Sequence, residues 1–315
     1  MTGGTRPVAQ GATGGVALVT GATGFIGAHL CRALADQGWE VHGTSRQGAS
    51  SRRRLTPEPH WHQLDLAEAE AVDALIDGVR PQAVFHLASH VVGRRDRELV
   101  RSTFAANLAS TVHLLDAVAR VGGCGRFVQI GSLEEPDLDG PSAAPSSPYA
   151  AAKAGATGYA RMFHHLYDVP VVLARLYMVY GPDQPDRAKL VPYVVQCLLE
   201  GRSPGISSGT RPVDWIHVAD VVEALVRMAT AEGIVGQQID VGSGTLATVR
   251  EVVDRLCAMV DPSLAPEVGA VADRRDEQVR VADAERSEKL LGWRPRFDLD
   301  GGLRDTLEWY RAEQA

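Results

Sequence analysis

Val16-Ala17-Leu18-Val19-Thr20 runs straight into Gly21-Ala22-Thr23-Gly24-Phe25-Ile26-Gly27. Five residues of apolar and β-branched character predict a buried strand, and three glycines at three-residue spacing predict a tight turn into a helix. Such a junction lets a diphosphate approach the backbone closely and meet the helix N-terminus. Gly21 makes the turn, Gly24 exposes backbone donors and Gly27 permits the helix to pack against the strand. Thr23, Phe25 and Ile26 complete the cofactor-binding loop. No lysine sits in the loop, which argues against a P-loop ATPase.

Outward from this junction, strands and helices alternate. Strands are predicted at 16–20, 38–43, 60–64, 83–87, 126–130 and 171–176, and helices at 25–37, 67–77, 98–121 and 149–167. The strands are apolar without strict alternation, the pattern of a parallel sheet covered on both faces. The predicted class is therefore α/β, a Rossmann-type doubly wound parallel sheet with a smaller C-terminal substrate lobe. Residues 1–14 read as a glycine-rich tail, 15–180 as the dinucleotide-binding core, and 181–315 mainly as the substrate lobe, with some segments returning to the core. In that second half a helix is expected near 190–200, a strand at 235–241, a helix at 248–260 and an amphipathic helix closing 284–311.

Composition narrows the function. Of 315 residues, 45% are hydrophobic and the formal net charge is −7, which disfavours nucleic acid and acidic membranes as partners. Cys31, Cys124, Cys197 and Cys257 are far apart and lack metal-ligand spacing, so no metal is expected and the thiols read as reduced and cytoplasmic. No apolar segment has the length of a membrane span or the layout of a signal peptide.

The end of the second strand bears on the cofactor. Val41-His42-Gly43-Thr44-Ser45-Arg46 has no acidic residue for a ribose hydroxyl, whereas Arg46 offers charge and Ser45 a hydrogen bond to a 2′-phosphate. NADP(H) is favoured over NAD(H) on that ground; Arg52, Arg53 and Arg54 either strengthen the field or form a solvated charge run. Asp65, beside Leu66, either touches adenine or caps the next helix. Leu87, Ala88 and Ser89 are expected to wall the nicotinamide ribose, with His86 packed beneath them and Asn107 holding a loop backbone group or water.

Far downstream, Tyr149 and Lys153 stand four residues apart, on one face of a helix. The ammonium is expected to lower the phenol's pKa and equip the pair for proton transfer to an alkoxide. Ser132, after the strand Phe127-Val128-Gln129-Ile130, would polarise the reacting oxygen. Glu134 or Glu135 is a further acid/base candidate if its loop turns inward.

These motifs resemble the extended short-chain dehydrogenases/reductases of the NAD-dependent epimerase/dehydratase family. The likeness runs from Val16 to Tyr310. It is carried by the glycine loop, His86 to Ser89, Ser132, Tyr149/Lys153, Arg175 to Pro182, Asp214 to Asp220 and Leu290 to Pro295. It implies nucleotide-diphosphate-sugar substrates, a homodimer joined through helices, and Ser132, Tyr149 and Lys153 as the catalytic residues. Glu134 matches a glutamate base of sugar 4,6-dehydratases, but Leu133 replaces its usual acidic or polar neighbour. Met178 stands where many relatives place an asparagine, and Val213 where many place a diphosphate-binding arginine; Arg211 is the nearby substitute. Lys189, Leu190, Arg274 and Arg275 complete the expected substrate contacts. The favoured activity is NADPH-dependent reduction of a nucleotide-linked 4-keto-6-deoxyhexose. The alternatives are a nucleotide-sugar epimerase or 4,6-dehydratase that retains its nicotinamide, and a catalytically silent cofactor-sensing protein.

Overall fold

The computed structural model describes residues 14–48, 55–136, 144–273 and 278–314. The expected tail, Gly14 excepted, Arg52 to Arg54, and Arg274 and Arg275 lie outside them.

The opening junction forms as the sequence predicts. Strand β1 (Val16–Thr20) feeds helix α1 (Phe25–Asp36) through the glycine turn. The chain continues through β2 (Glu40–Ser45), β3 (His60–Gln63), α2 (Ala69–Val79) and β4 (Ala83–His86). Helix α3 (Leu99–Thr103), a π-helical stretch (Phe104–Ala109) and α4 (Ser110–Val121) then lead to β5 (Arg126–Ser132), α5 (Pro148–Tyr167) and β6 (Val171–Leu176). The second half supplies β7 (Met178–Tyr180), α6 (Leu190–Leu199), β8 (Gly205–Ile206), β9 (Pro212–His217), α7 (Val218–Thr230), β10 (Gln238–Val241) and β11 (Leu246–Thr248). It ends with α8 (Val249–Val260), β12 (Glu267–Val268), α9 (Ala284–Leu291) and α10 (Leu299–Gln314).

Seven strands form one parallel sheet in the order β3-β2-β1-β4-β5-β6-β10. The chain reverses direction across the sheet between β1 and β4, which opens a crevice at the carboxyl ends of the strands. Both faces are covered. On β5, Val128 and Ile130 pack in a core shared with α1 and α7, while Phe127 packs in one shared with α2, α4 and α5. Covering both faces explains the lack of polar/apolar alternation in these strands. A third core lies between α6, α8, α10 and the small sheet β11-β9-β7.

Besides shifts of one or two residues at other element ends, three departures from expectation have a local cause. Strand β2 begins at Glu40 rather than 38, because Gly38 turns at φ +81°. The helix expected at 98–121 contains the π-helical stretch. The strand expected at 235–241 shortens to β10, since Gly236, at φ +72 to +79° together with Gly233, belongs to a turn.

Candidate active site

The glycine turn is built by close approach. Gly21 adopts φ +68°, and a Cβ there would stand 2.8 Å from the Ala88 nitrogen. A Cβ on Gly27 would stand 2.2 Å from the Gly21 carbonyl oxygen, so α1 seats against the loop only with glycine at that position. Helix α1 has neither a side-chain cap nor an acidic residue in its first turn, which leaves its N-terminal donors to an anion. This cradle suits a dinucleotide diphosphate. Thr23, Ser45 and Arg46 line an adjoining cleft of about 580 Å³ together with Asp183, Arg187 and Trp309. Ser45 is buried and its Oγ accepts the Gln47 N–H, whereas Arg46 is exposed. Asp65 is exposed and its carboxylate accepts the Ala67 N–H in the turn ahead of α2, whose N-cap is Glu68 without a side-chain cap, and Leu66 is buried in the core.

Beneath the site, a hydrogen-bonded chain fixes one tautomer of His86. Thr111 Oγ1 donates to the Asn107 carbonyl (2.8 Å), so it accepts from His86 Nε2–H (3.0 Å). His86 Nδ1 then accepts from Thr20 Oγ1–H (2.8 Å), and Thr20 Oγ1 accepts the Ala88 N–H (3.1 Å). Every proton has one place, and His86 is neutral. Burial, reinforced by the charge of Lys153, pushes its pKa down to about 3. Asn107 ends the chain from within the π-helical stretch, accepting from Ser89 Oγ (3.1 Å) and the His90 N–H (2.6 Å). It thus holds the loop backbone, one of its two expected tasks. Leu87 and Ala88 are half-buried beside it.

Helix α5 starts because Ser147 caps it, accepting the Ala150 N–H, with Pro148 in its first turn. The same start sets Tyr149 and Lys153 one turn apart, both buried. The phenol lies against the hydroxyls of Ser132 and Ser89. Lys153 Nζ donates to the Ile130 carbonyl at 2.9 Å. Here the structure corrects an expectation. Burial dominates and raises the Tyr149 pKa to about 12, against the pull of the Ser132 and Ser89 hydrogen bonds, and Lys153 is not among its causes. Burial also lowers Lys153, to about 8, although Glu135 opposes it.

The two glutamates divide. Glu135 is buried and accepts the Ser132 N–H (2.7 Å). Glu134 gives its N–H to Ser132 Oγ (3.2 Å), and its carboxylate accepts from Arg211 (2.9 Å). Arg211 also donates to the Gln278 carbonyl (2.7 Å), so the expected diphosphate arginine is already engaged. Leu133, between Ser132 and Glu134 in sequence, is buried. Arg280, which the sequence reading missed, donates to the carbonyls of Leu133 and Glu135 (both 3.2 Å) and pins this loop. Met178 is half-buried, in register with Trp215 of β9. Lys189 precedes Leu190 at the start of α6, 4.0 Å from Asp186.

The profile of the NAD dependent epimerase/dehydratase family matches residues 17–242. The chain belongs to this family. UDP-glucose 4-epimerase of Mycolicibacterium smegmatis is 30% identical, over 93% of this chain and 98% of that one. A dTDP-glucose 4,6-dehydratase of Neisseria gonorrhoeae is 32% identical, over 93% and 94% respectively. Among solved structures, the Thermus thermophilus UDP-glucose 4-epimerase complex with NAD is 26% identical, with a TM-score of 0.79 over 94% of this chain and 99% of that one. This epimerase/dehydratase family member is accordingly an enzyme of the extended short-chain dehydrogenase/reductase type, with the Rossmann-type fold its glycine loop predicts. Among its described residues, no helix is long and apolar enough to cross a membrane.

Proposed function

We propose that the chain is an NAD-dependent nucleotide-diphosphate-sugar 4-epimerase. This replaces NADPH-dependent keto reduction as the favoured reading, because the relatives named above are an epimerase and a dehydratase rather than reductases. The observation that carries epimerisation over dehydration is the Glu134–Arg211 ion pair next to a buried Leu133. Eliminating water from a sugar needs an acid for the departing hydroxyl and a base for the carbon-bound proton. Leu133 supplies neither, Glu134 is held by a guanidinium, and Glu135 is spent on the Ser132 N–H. Epimerisation needs only one proton shuttle, and Tyr149 is that group.

The glycine cradle and the N-terminus of α1 hold the diphosphate, and Thr23 and Ser45 border the adenosine side. The bound nicotinamide supplies a reversible hydride acceptor for the sugar C4 position. Ser132 Oγ–H would polarise the C4 oxygen, and Tyr149, in the ionised form that burial alone disfavours and that the positive charges of Lys153 and a bound oxidised nicotinamide would favour, would take its proton and later return it. Lys153, fastened to Ile130, keeps a positive charge beside this exchange at neutral pH, below its lowered pKa. Leu87, Ala88 and Ser89 exclude water from one side.

The test is to purify the chain, release and weigh its bound nicotinamide, and incubate it with UDP-glucose and dTDP-glucose. The expected result is bound NAD, a C4 epimer of unchanged mass and no net NADPH consumption. Loss of one water would overturn the proposal in favour of a dehydratase. Stoichiometric NADPH oxidation with a keto sugar would restore the reductase and assign Arg46 to a 2′-phosphate.

A further inference from the structure

The sheet edge carries a cluster that the proposed chemistry does not use. Strands β2 and β3 pair in parallel with His42 opposite His60, and β3 is the edge strand. Glu40 and His42 project from the face of β2 opposite to Val41 and Gly43, which pack towards α1 and Trp61. His42, His60 and His62 therefore share one face, with Glu40 at the start of β2. Ser45 and Arg46, at the other end of β2, border the nucleotide cleft, so this cluster is separate from the active site.

We propose that Glu40, His42 and His60 bind one divalent cation of the zinc, cobalt or nickel class, with His62 as the residue that orients His42. Imidazole and carboxylate donors suit that class. One donor atom from each of the three residues lies within 4.8 Å of the others. Glu40 Oε1 stands 3.0 Å from His42 Nε2 and 3.8 Å from His60 Nε2. A tetrahedral ion with bonds of about 2.0–2.1 Å spaces its ligand atoms roughly 3.4 Å apart, between those two values. The remaining closure falls to His60, whose side chain is 67% exposed and so has room to adjust.

The tautomer is arranged for it. A cation on His42 Nε2 requires the ring proton on Nδ1, and His62 Nε2 lies 2.8 Å from that atom as its acceptor. The His42 and His62 rings lie 16° from parallel and meet edge to edge across this hydrogen bond, which restrains the ligand ring. Metal-bound imidazoles commonly have such a partner on the second nitrogen. His42 itself is only 13% exposed, so its orientation is set by packing. A fourth position remains for water. The ion would clip the start of a four-residue edge strand to its neighbour.

The experiment is calorimetric titration of the full, tag-free chain with zinc(II) alone, repeated with cobalt(II) for its tetrahedral visible spectrum. We expect one ion per chain at micromolar affinity or better, and a Tm rise of roughly 4 °C at a hundredfold excess over Kd. A Glu40→Gln/His60→Ala double variant, altered at two exposed positions, should fold and lose the site. His62→Phe keeps all three ligands and should weaken binding by about 10–100-fold. Binding no tighter than millimolar in the wild type would overturn the proposal. So would a double variant that binds within threefold of wild type.

Discussion

Tyr149 and His86 are buried ionisable side chains that do different work, and each can be tested alone. If Tyr149 is the proton shuttle, Tyr149→Phe removes one oxygen from a packed site and leaves the fold in place. Turnover should fall by about 10²–10⁴-fold, with an unchanged amount of bound nicotinamide; comparable turnover in a folded variant would refute the assignment. His86 is a matter of proton linkage. Its pKa is about 3 in the folded chain and about 6.5 unfolded. Between those values the unfolded chain binds a proton that the native chain does not. Stability is therefore full above pH 6.5 and declines as the pH falls, by about 1.4 kcal/mol per pH unit for this group. His217, lowered to about 4 by burial, adds a similar slope. In His86→Asn the slope of unfolding free energy between pH 4.5 and 6 should lessen by about that one-proton amount; parallel profiles in urea titrations would contradict the neutral tautomer. At this scale the sequence read well where chemistry depends on short spacing. Tyr149 and Lys153 are one helical turn apart, and periodicity alone puts them together. It read poorly where burial decides. The lysine was expected to lower the phenol, yet desolvation raises it. Nor does the string Glu134-Glu135 reveal that Arg211, 77 residues on from Glu134, pairs with one and leaves the other to Ser132.

Local elements were legible wherever turn residues mark their ends. The glycine loop and the Ser147-Pro148 helix start are such marks, and both elements formed where expected. The π-helical stretch at 104–109 was not legible, because its sequence FAANLA continues the helical pattern on either side. What holds it is tertiary: Asn107 is fastened to Ser89 and His90, and Ser110 donates to the Ala106 carbonyl. Strands β7 and β11, three residues each, are likewise too short to carry a period. The same contrast between local and tertiary causes separates two glycines in helices. A Cβ at Gly158, in α5, meets nothing within 4 Å, whereas at Gly27, in α1, it meets the Gly21 carbonyl at 2.2 Å. Both are helical positions, so propensity favours alanine at each by roughly 0.5–1 kcal/mol. Gly158→Ala should gain about that much. Gly27→Ala should instead lose about 1–3 kcal/mol, the usual range for overpacking, and weaken dinucleotide binding as the loop shifts. Urea unfolding of the two variants side by side checks the sign at each site.

At the level of the whole molecule, the stretch Asp214 to Asp220 entered the sequence analysis only as part of the family likeness, yet it ties together segments of the second half of the chain. Asp214 lies on β9 with no exposure, and no cation pairs with it among the described residues. Its Oδ1 accepts from the Ser243 N–H (2.6 Å) and Ser243 Oγ (2.8 Å); its Oδ2 accepts from the N–H groups of Gly244 (3.0 Å) and Ala282 (2.9 Å). One carboxylate thus joins the small sheet, the turn after β10 of the large sheet and the segment leading into α9. Asp220, one helical entry later, accepts the N–H groups of Arg296 and Phe297 and fixes the approach to α10. Such links connect residues up to 77 positions apart, and no periodicity encodes them. Burial raises the Asp214 pKa, and the four donors act against that rise. The consequence is a sharp asymmetry between charge and shape. Asp214→Asn is nearly isosteric, but its amide must turn an NH₂ towards two groups that already donate, from Ser243 or from Gly244 and Ala282. At about 1–3 kcal/mol for each buried donor left unpaired, the variant should lose on the order of 3–5 kcal/mol in denaturant unfolding. The loss should be as large as for Asp214→Ala, although the asparagine leaves no cavity. If Asp214→Asn instead unfolds at the wild-type midpoint, this carboxylate is not what fastens the small sheet to the turn after β10 and the segment before α9.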